Sequence, residues 1–374
     1  MTTTHARKKL SILGTRGVPA CHGGFESFAE SFALYLAERG WDVSVYCQEV
    51  GNTPIHEEMW NGIRRIIVCV PKDSSLGSIL FDLKAILHAR KHARNCLTLG
   101  YNTAIFNVLL RGCGMRTLMN MDGIEWARAK WSLPAKAWLY LNERLGARVS
   151  GTLIADHPEI ARHLQRHTRA DKIVTIPYGA ETPTNTDNSC FGEFDVQPGC
   201  YAMLVARPEP ENSILEIVRS WAREKRGMPL LVLGNYSPEA PYHCLVKSYA
   251  SEEIRFIGGI YDHQRIAALR INTAFYIHGH QVGGTNPSLV EALACGNPVL
   301  AHDNRFNRWV AGDAALYFSS EDDCSEKIGA MISNPDLLAT LAENARKRHS
   351  EAFTIDKINR QYEEICTDPR DAIG

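Results

Sequence analysis

Thirteen short apolar runs alternate with helical patterns along this chain, and that alternation limits its fold more than any other feature. Seven lie in the first half: LSILGT (10–15), VSVYCQ (43–48), IRRIIVCV (63–70), CLTLGY (96–101), RTLMNMDG (116–123), GTLIADH (151–157) and IVTIPYG (173–179). Six follow: YAMLVAR (201–207), LLVLGN (230–235), IRFIGGI (254–260), TAFYIHG (273–279), PVLAHD (298–303) and ALYFSS (315–320). Most are continuously apolar, as strands buried on both faces of a parallel sheet are. Between the first two lies GGFESFAESFALYLAERG, where Phe25, Phe28, Phe32 and Leu36 recur at helical spacing and Gly40 stops the helix. The pattern predicts α/β, doubly wound parallel sheets that bind ligands beyond the carboxyl ends of their strands.

The two sets of runs are separated by GAETPTNTDNSCFGEFDVQPGC, a stretch of turn-forming residues. At 374 residues the chain is long enough for two domains. We expect a first domain over 1–182, a linker over 183–199, a second domain over 200–350 and a helical tail over 351–374. Two such domains facing each other would form a cleft.

No run of ~18 apolar residues exists to span a membrane, and the opening MTTTHARKKLSILGTRG lacks the apolar stretch of a secretory signal. Eleven cysteines are scattered singly without a C-x-x-C pair, which fits reduced thiols in the cytoplasm. The net charge of −1 conceals an asymmetry. Residues 1–180 hold 23 Lys and Arg against 15 Asp and Glu, a balance of +8, and the remainder carries −9. The basic half is expected to meet an anionic surface. Its charge concentrates in LKAILHARKHARN (83–95) and in EWARAKWSLPAKAWLYLNERLGAR (125–148), where Trp126, Trp131, Trp138 and Tyr140 interleave with Arg128, Lys130, Lys136, Arg144 and Arg148. Trp138, Leu141 and Leu145 also follow helical spacing, so a core role competes with a membrane-surface role.

The stretch YIHGHQVGGTNPSLVEALACGNPVLA (276–301) carries the clearest chemistry. A strand runs into Gly283 and Gly284; Thr285 follows, Asn286 suits the N-cap, Pro287 the first helical position and Gly296 the stop. Free amides and the helix dipole favour an anion there. Glu291, one turn inside, suits a vicinal diol such as ribose hydroxyls. Arg207 at the end of its strand can grip a diphosphate bidentately. In the first half, Gly23 and Gly24 open a helix containing Glu26, while Asp122 and Glu125 end a strand and can orient a hydroxyl acceptor or hold their own loop. The first βα turn does not fit G-x-G-x-x-G, which argues against a dinucleotide. The pairs His88/His92 and His163/His167 lack a third ligand and read as solvated, and His278-x-His280 has no partner motif, so no metal is expected.

Together these residues resemble a known family. The run EALACGNPV (291–299) and Arg207 look like the retaining glycosyltransferases of family 4, with the GT-B fold of two Rossmann-like domains facing a central cleft. GTRGVPACHGGFESF (14–28), DGIEWARAKW (122–131), IPYGAE (176–181), RPEPEN (207–212) and YIHGHQVGGTNPSLVEALACG (276–296) resemble its rhamnosyltransferase-like branch, long listed as a domain of unknown function. The resemblance implies transfer of a sugar, L-rhamnose from dTDP-L-rhamnose, to a hydroxyl of a lipid-linked or polysaccharide-precursor acceptor, at the inner face of the plasma membrane. It implies no cofactor, no metal and no nucleic acid. Glu291 would contact the donor ribose, and Arg207 its phosphates. Asp122 would serve catalysis, with Glu26, Glu125 and Trp126 on the acceptor side. Two positions depart from the pattern: Gly283 stands where the family has a first glutamate, and Asn212 where it has a lysine. Another donor, such as UDP-glucose or UDP-galactose, or a nucleotide-sugar epimerase on the same fold, is the alternative; a non-catalytic sugar-nucleotide binder is a third.

Overall fold

In the computed structural model of the chain, residues 7–20, 24–128 and 131–367 are described. The chain forms two compact units, Met1–Pro177 with Ile358–Gly374, and Tyr178–Lys357. The division falls after Pro177, ahead of the segment read as a linker. Within that segment Cys190 and Val196 are buried in the second unit. The end of the helical tail belongs to the first unit.

The first unit is built on an eight-stranded sheet. Its strands are β1 (Lys9–Leu13), β2 (Asp42–Val50), β3 (His56–Trp60), β4 (Ile63–Val70), β5 (Asn95–Leu99), β6 (Arg116–Asn120), β7 (Thr152–Ala155) and β8 (Ile173–Thr175). They lie in the order β3-β4-β2-β1-β5-β6-β7-β8, all parallel except β3. The sequence reading has no counterpart for β3. HEEMW is charged because β3 is an edge ribbon: Glu57 and Glu58 pair with Arg64 and Arg65 across the hairpin.

The helix Gly24–Glu38 buries Phe28, Phe32 and Leu36 against one face of this sheet, as their spacing predicts. The helix Ser75–His92 covers the other face with Phe81, Ala85, Ile86 and Ala89. A third element completes the first core from far along the chain. The helix Ile355–Cys366 inserts Ile358, Tyr362 and Cys366 beside Phe28 and Phe32. The ring of Tyr362 lies 4.5 Å from Phe28 and 5.5 Å from Phe32 between centroids. Its buried hydroxyl accepts a hydrogen bond from Asn120 Nδ2 at 2.9 Å.

The second unit holds six parallel strands: β9 (Ala202–Val205), β10 (Leu230–Leu233), β11 (Ile254–Gly258), β12 (Phe275–His278), β13 (Val299–His302) and β14 (Ala315–Phe318). Their order is β11-β10-β9-β12-β13-β14. Trp221, Ile217 and Met331 fill one side, and Tyr201, Leu269 and Tyr276 belong to another buried cluster.

Replacing Tyr362 with Phe leaves a buried amide N–H without its acceptor and should cost ~1–3 kcal/mol. Urea unfolding of the variant against the parent measures it.

Candidate functional site

In the second sheet the chain steps outward from β9 through β10 to β11, then returns to the opposite side of β9 as β12. Open α/β sheets bind ligands where strand order reverses, which here is beyond the carboxyl ends of β9 and β12. Two loops meet there. After β9, Arg207 is exposed, and a tight turn over Pro210–Asn212 leads into Ser213, whose φ is 49°. After β12, Gly279 packs so closely on this turn that a Cβ would lie 2.2 Å from the Asn212 carbonyl oxygen. Gln281 laces the loops further: its amide donates to Glu211 O at 2.9 Å, and its side chain donates to Ser213 Oγ at 2.9 Å.

The glycines follow. Gly283 has φ 139° with open space around it, so the loop reaches its conformation there without a side chain. Gly284 is half-buried and Thr285 buried. The helix Pro287–Ala294 then starts with Asn286 as its cap, Oδ1 accepting from Ser288 N at 3.0 Å and from Ser288 Oγ at 2.8 Å. Beneath, the Tyr276 hydroxyl lies 3.1 Å from Ser288 Oγ and 3.3 Å from Val205 O, tying the helix start to the end of β9.

Glu291 projects half-exposed from this helix, and its Oε2 lies 2.5 Å from Arg270 Nη1. Arg270 escaped the sequence reading. It follows Ala267, Ala268 and Leu269 on the helix His263–Ile271, where its only signal is a charge adjoining apolar residues. Asn212, at the position where the resemblance expects a lysine, is buried and donates through Nδ2 to Arg207 O at 2.8 Å. It clamps the arginine's loop rather than offering a charge. His278 is buried at the end of β12, and desolvation holds its imidazole neutral.

The first sheet reverses between β1 and β5. The loop after β1 and the ends of β2 and β4 line a groove of ≈ 290 Å³ with Arg16, Glu26, Gln48, Glu49, Arg65 and Asp73 among its walls. Glu26, in the first turn of its helix, is buried, and its Oε1 lies 3.3 Å from Arg16 N. Gly24 is exposed at the helix start, while Gly23 lies outside the described residues.

Asp122 follows β6 with φ 48°, an unusual backbone for a non-glycine residue and one that concentrates at functional sites. Its amide donates to Asn120 Oδ1 at 2.8 Å, and Asn120 in turn donates to Tyr362. Glu125 turns to its own loop. Its oxygens accept from Arg128 Nη1 at 2.7 Å and Trp131 Nε1 at 3.2 Å, and its amide donates to the Tyr101 hydroxyl at 2.8 Å. Trp126 donates through Nε1 to Glu143 Oε2 at 2.8 Å and meets Tyr140 edge-on.

Buried Glu143 also contacts His163 Nε2 at 2.9 Å through Oε1, so His163 is a partner of the Trp126 anchor and not the solvated residue expected. With His167 these groups place ligand atoms within 4.8 Å of one another; Glu143 is the third ligand that spacing alone did not reveal. Both oxygens of Glu143 are already engaged, and Arg144 Nη1 lies 3.7 Å from Oε1. His88 is likewise engaged, 3.0 Å from the Tyr46 hydroxyl.

One group at the β1/β5 reversal went unread. Asp82, on the helix Ser75–His92, lines a small polar pocket of ≈ 50 Å³ with Thr98, Asn102, Thr103 and Asn107. Thr103 Oγ1 donates to Asp82 Oδ2 at 2.7 Å, while burial pushes the carboxyl up to about 6.

Comparison with known proteins gives these arrangements a context. Residues 200–348 match the family model "Glycosyl transferases group 1", and residues 7–181 match a domain of unknown function, DUF1972. A comparison with curated proteins gives no match. Among solved structures, sucrose-phosphate synthase from Thermosynechococcus elongatus is 18% identical over 96% of this chain and 98% of its own, with a TM-score of 0.77. Anabaena HepE in complex with UDP is 17% identical over 96% and 99%, with a TM-score of 0.72. WaaG, a glycosyltransferase involved in lipopolysaccharide biosynthesis, is 16% identical over 96% and 99%, with the same TM-score. The chain has the GT-B fold, its second unit carries a group 1 glycosyltransferase domain, and the protein is a glycosyltransferase.

The Asp82 carboxyl generates a pH dependence. Its folded pKa lies above its unfolded value, so the fold favours the protonated form and loses that contribution as pH rises from about 4 toward about 6. Asp82→Asn should be more stable than the parent at pH 7.5, on the order of 2 kcal/mol, with the difference shrinking at pH 4.5. Urea unfolding at the two pH values measures this.

Proposed function

We propose that the protein moves a sugar from a nucleotide diphosphate donor, dTDP-L-rhamnose, to a hydroxyl of a lipid-linked or polysaccharide-precursor acceptor, with retention of configuration. One observation carries the donor half: Arg207, a capped and glycine-lined helix start and Glu291 all follow β9 and β12, where the second sheet reverses. UDP bound to Anabaena HepE supports a nucleotide ligand for a chain of this fold.

In front-face displacement the acceptor oxygen bonds to the anomeric carbon as the bond to the phosphate oxygen breaks. The departing oxygen takes the acceptor proton. The protein's task is then to position the reactants and stabilise the leaving diphosphate. Arg207 and the amides near Gly283, Gly284 and Thr285 supply the positive field without a metal. Glu291 holds the ribose. Asp122, fixed in its left-handed backbone, orients the acceptor hydroxyl, and Glu26 and Trp126 line the acceptor side. Glu125 contributes by holding that loop.

The test incubates the protein with dTDP-L-rhamnose, UDP-glucose and UDP-galactose in excess chelator and follows release of the nucleotide diphosphate. We expect slow hydrolysis of one donor without acceptor. Asp122→Asn should spare donor binding and lower transfer by ~10²-fold or more. Glu291→Ala should weaken nucleotide binding roughly 10- to 100-fold, as loss of charged hydrogen bonds worth ~1.5–3 kcal/mol implies. An epimerised donor in place of free diphosphate overturns the transferase reading. Turnover that dies in chelator and returns with magnesium overturns the metal-free one.

The acceptor side meets a membrane surface in this reading, at the cytoplasmic face. On the helix Leu133–Val149 the buried face is Leu139, Asn142, Glu143, Gly146 and Ala147. The competing core role therefore fails for Trp138 and Leu141, which are exposed; Leu141 is 47% exposed and Leu133 82%. Trp131 and Tyr140 are exposed beside them, among Lys136, Arg144 and Arg148, while Lys130 lies outside the described residues. No helix among the described residues is long and apolar enough to cross a membrane. Interfacial aromatics next to cations suit an anionic bilayer, at about 1 kcal/mol per well-placed cation. Co-sedimentation should show binding to anionic and not neutral vesicles, weakening as salt rises. Failure to bind either at low salt removes the membrane role.

A further inference from the structure

We infer that Arg270 is a positioning residue for the donor: it fixes the Glu291 carboxylate so that one oxygen faces the ribose hydroxyls. This rests on the reading of Glu291 given above.

The fold alone gives little reason for an arginine here. Its side chain is 11% exposed, on a helix whose neighbouring buried residues are Ala267, Ala268 and Leu269. Its Nε is buried with no hydrogen-bond partner. Sequestered ion pairs with incomplete hydrogen bonding are commonly no more stable than apolar residues in their place. The guanidinium is therefore retained for what it holds.

What it holds is Glu291. Nη1 lies 2.5 Å from Oε2, and Glu291, 40% exposed, has no other partner among the described residues. Oε2 is anchored from the buried side, which leaves Oε1 as the acceptor for a ligand. A permanently charged guanidinium against one of its oxygens restricts the carboxylate's rotation, which a free glutamate would lose only on binding. The helix that carries Glu291 is itself fixed at its start by Asn286, Ser288 and Tyr276. Arg270 extends that fixation one turn further, to the side chain that meets the sugar ring of the nucleoside.

The experiment uses the full chain and measures dissociation constants for UDP and thymidine diphosphate, each beside its 3′-deoxy counterpart. The parent should bind the hydroxylated member of at least one pair about 10-fold more tightly. In Arg270→Met that difference should collapse to less than about 2-fold. Affinity for the deoxy member should stay within about 2-fold of the parent, and the melting temperature should be unchanged or raised. Arg270→Lys keeps the charge without the guanidinium and should fall between the two, which also serves if the methionine variant does not fold. Equal weakening of both members of a pair shows that Arg270 acts on the phosphates or the fold and overturns the proposal. An undiminished difference in the variants overturns it as well. A parent that does not discriminate at all removes the ribose reading of Glu291, and the inference with it, before any substitution is made.

Discussion

The candidate site of the second unit depends on a backbone packed against a backbone. Gly279 sits where no Cβ fits, against the carbonyl of Asn212, and this contact lets the loops after β9 and β12 share a single wall. The Gln281 bridges, the open stretch at Gly283 and the capped helix carrying Glu291 are all set by how closely these two turns pack. Asn212 takes part through its amide, which is why a neutral side chain stands there. A lysine would have to leave the clamp to carry its charge to a ligand.

The first unit uses buried polar side chains for the same end. Asn120 is fully buried, holding the Asp122 amide with one end of its side chain and the Tyr362 hydroxyl with the other. Glu143 holds Trp126 and His163 in the same way. In each case a loop residue is oriented by a buried side chain beneath it. Such buried networks are costly when incomplete, so their satisfaction fixes one arrangement of the loop.

The strands were legible because continuous apolar runs admit few other fates in a chain of this length. The helix Gly24–Glu38 was legible from the spacing of its aromatics. β3 was not, since an edge strand needs no apolar face and its charges answer those on β4. Periodicity misled on the helix Leu133–Val149, where Trp138 and Leu141 point outward and the buried face sets Asn142 and Glu143 among Leu139, Gly146 and Ala147. The candidate site was legible where it depends on local backbone chemistry, as in the glycines, the cap and Asp122 at a strand end. It was not legible where partners converge from distant segments. Arg270 with Glu291, Glu143 with Trp126, and Asp82 with Thr103 are pairs made by the tertiary fold. A spacing rule has no view of them.

The return of the helix Ile355–Cys366 to the first unit has a consequence for biosynthesis. The second unit, Tyr178–Lys357, is one continuous stretch and has all of its residues once translation passes position 357. The first unit is synthesised earlier and yet lacks Ile358, Tyr362 and Cys366 until the ribosome has gone past them. During that interval Phe28 and Phe32 face a missing neighbour. Domains made in order usually complete in order. Here the core of the earlier one includes residues that follow the later one in the chain.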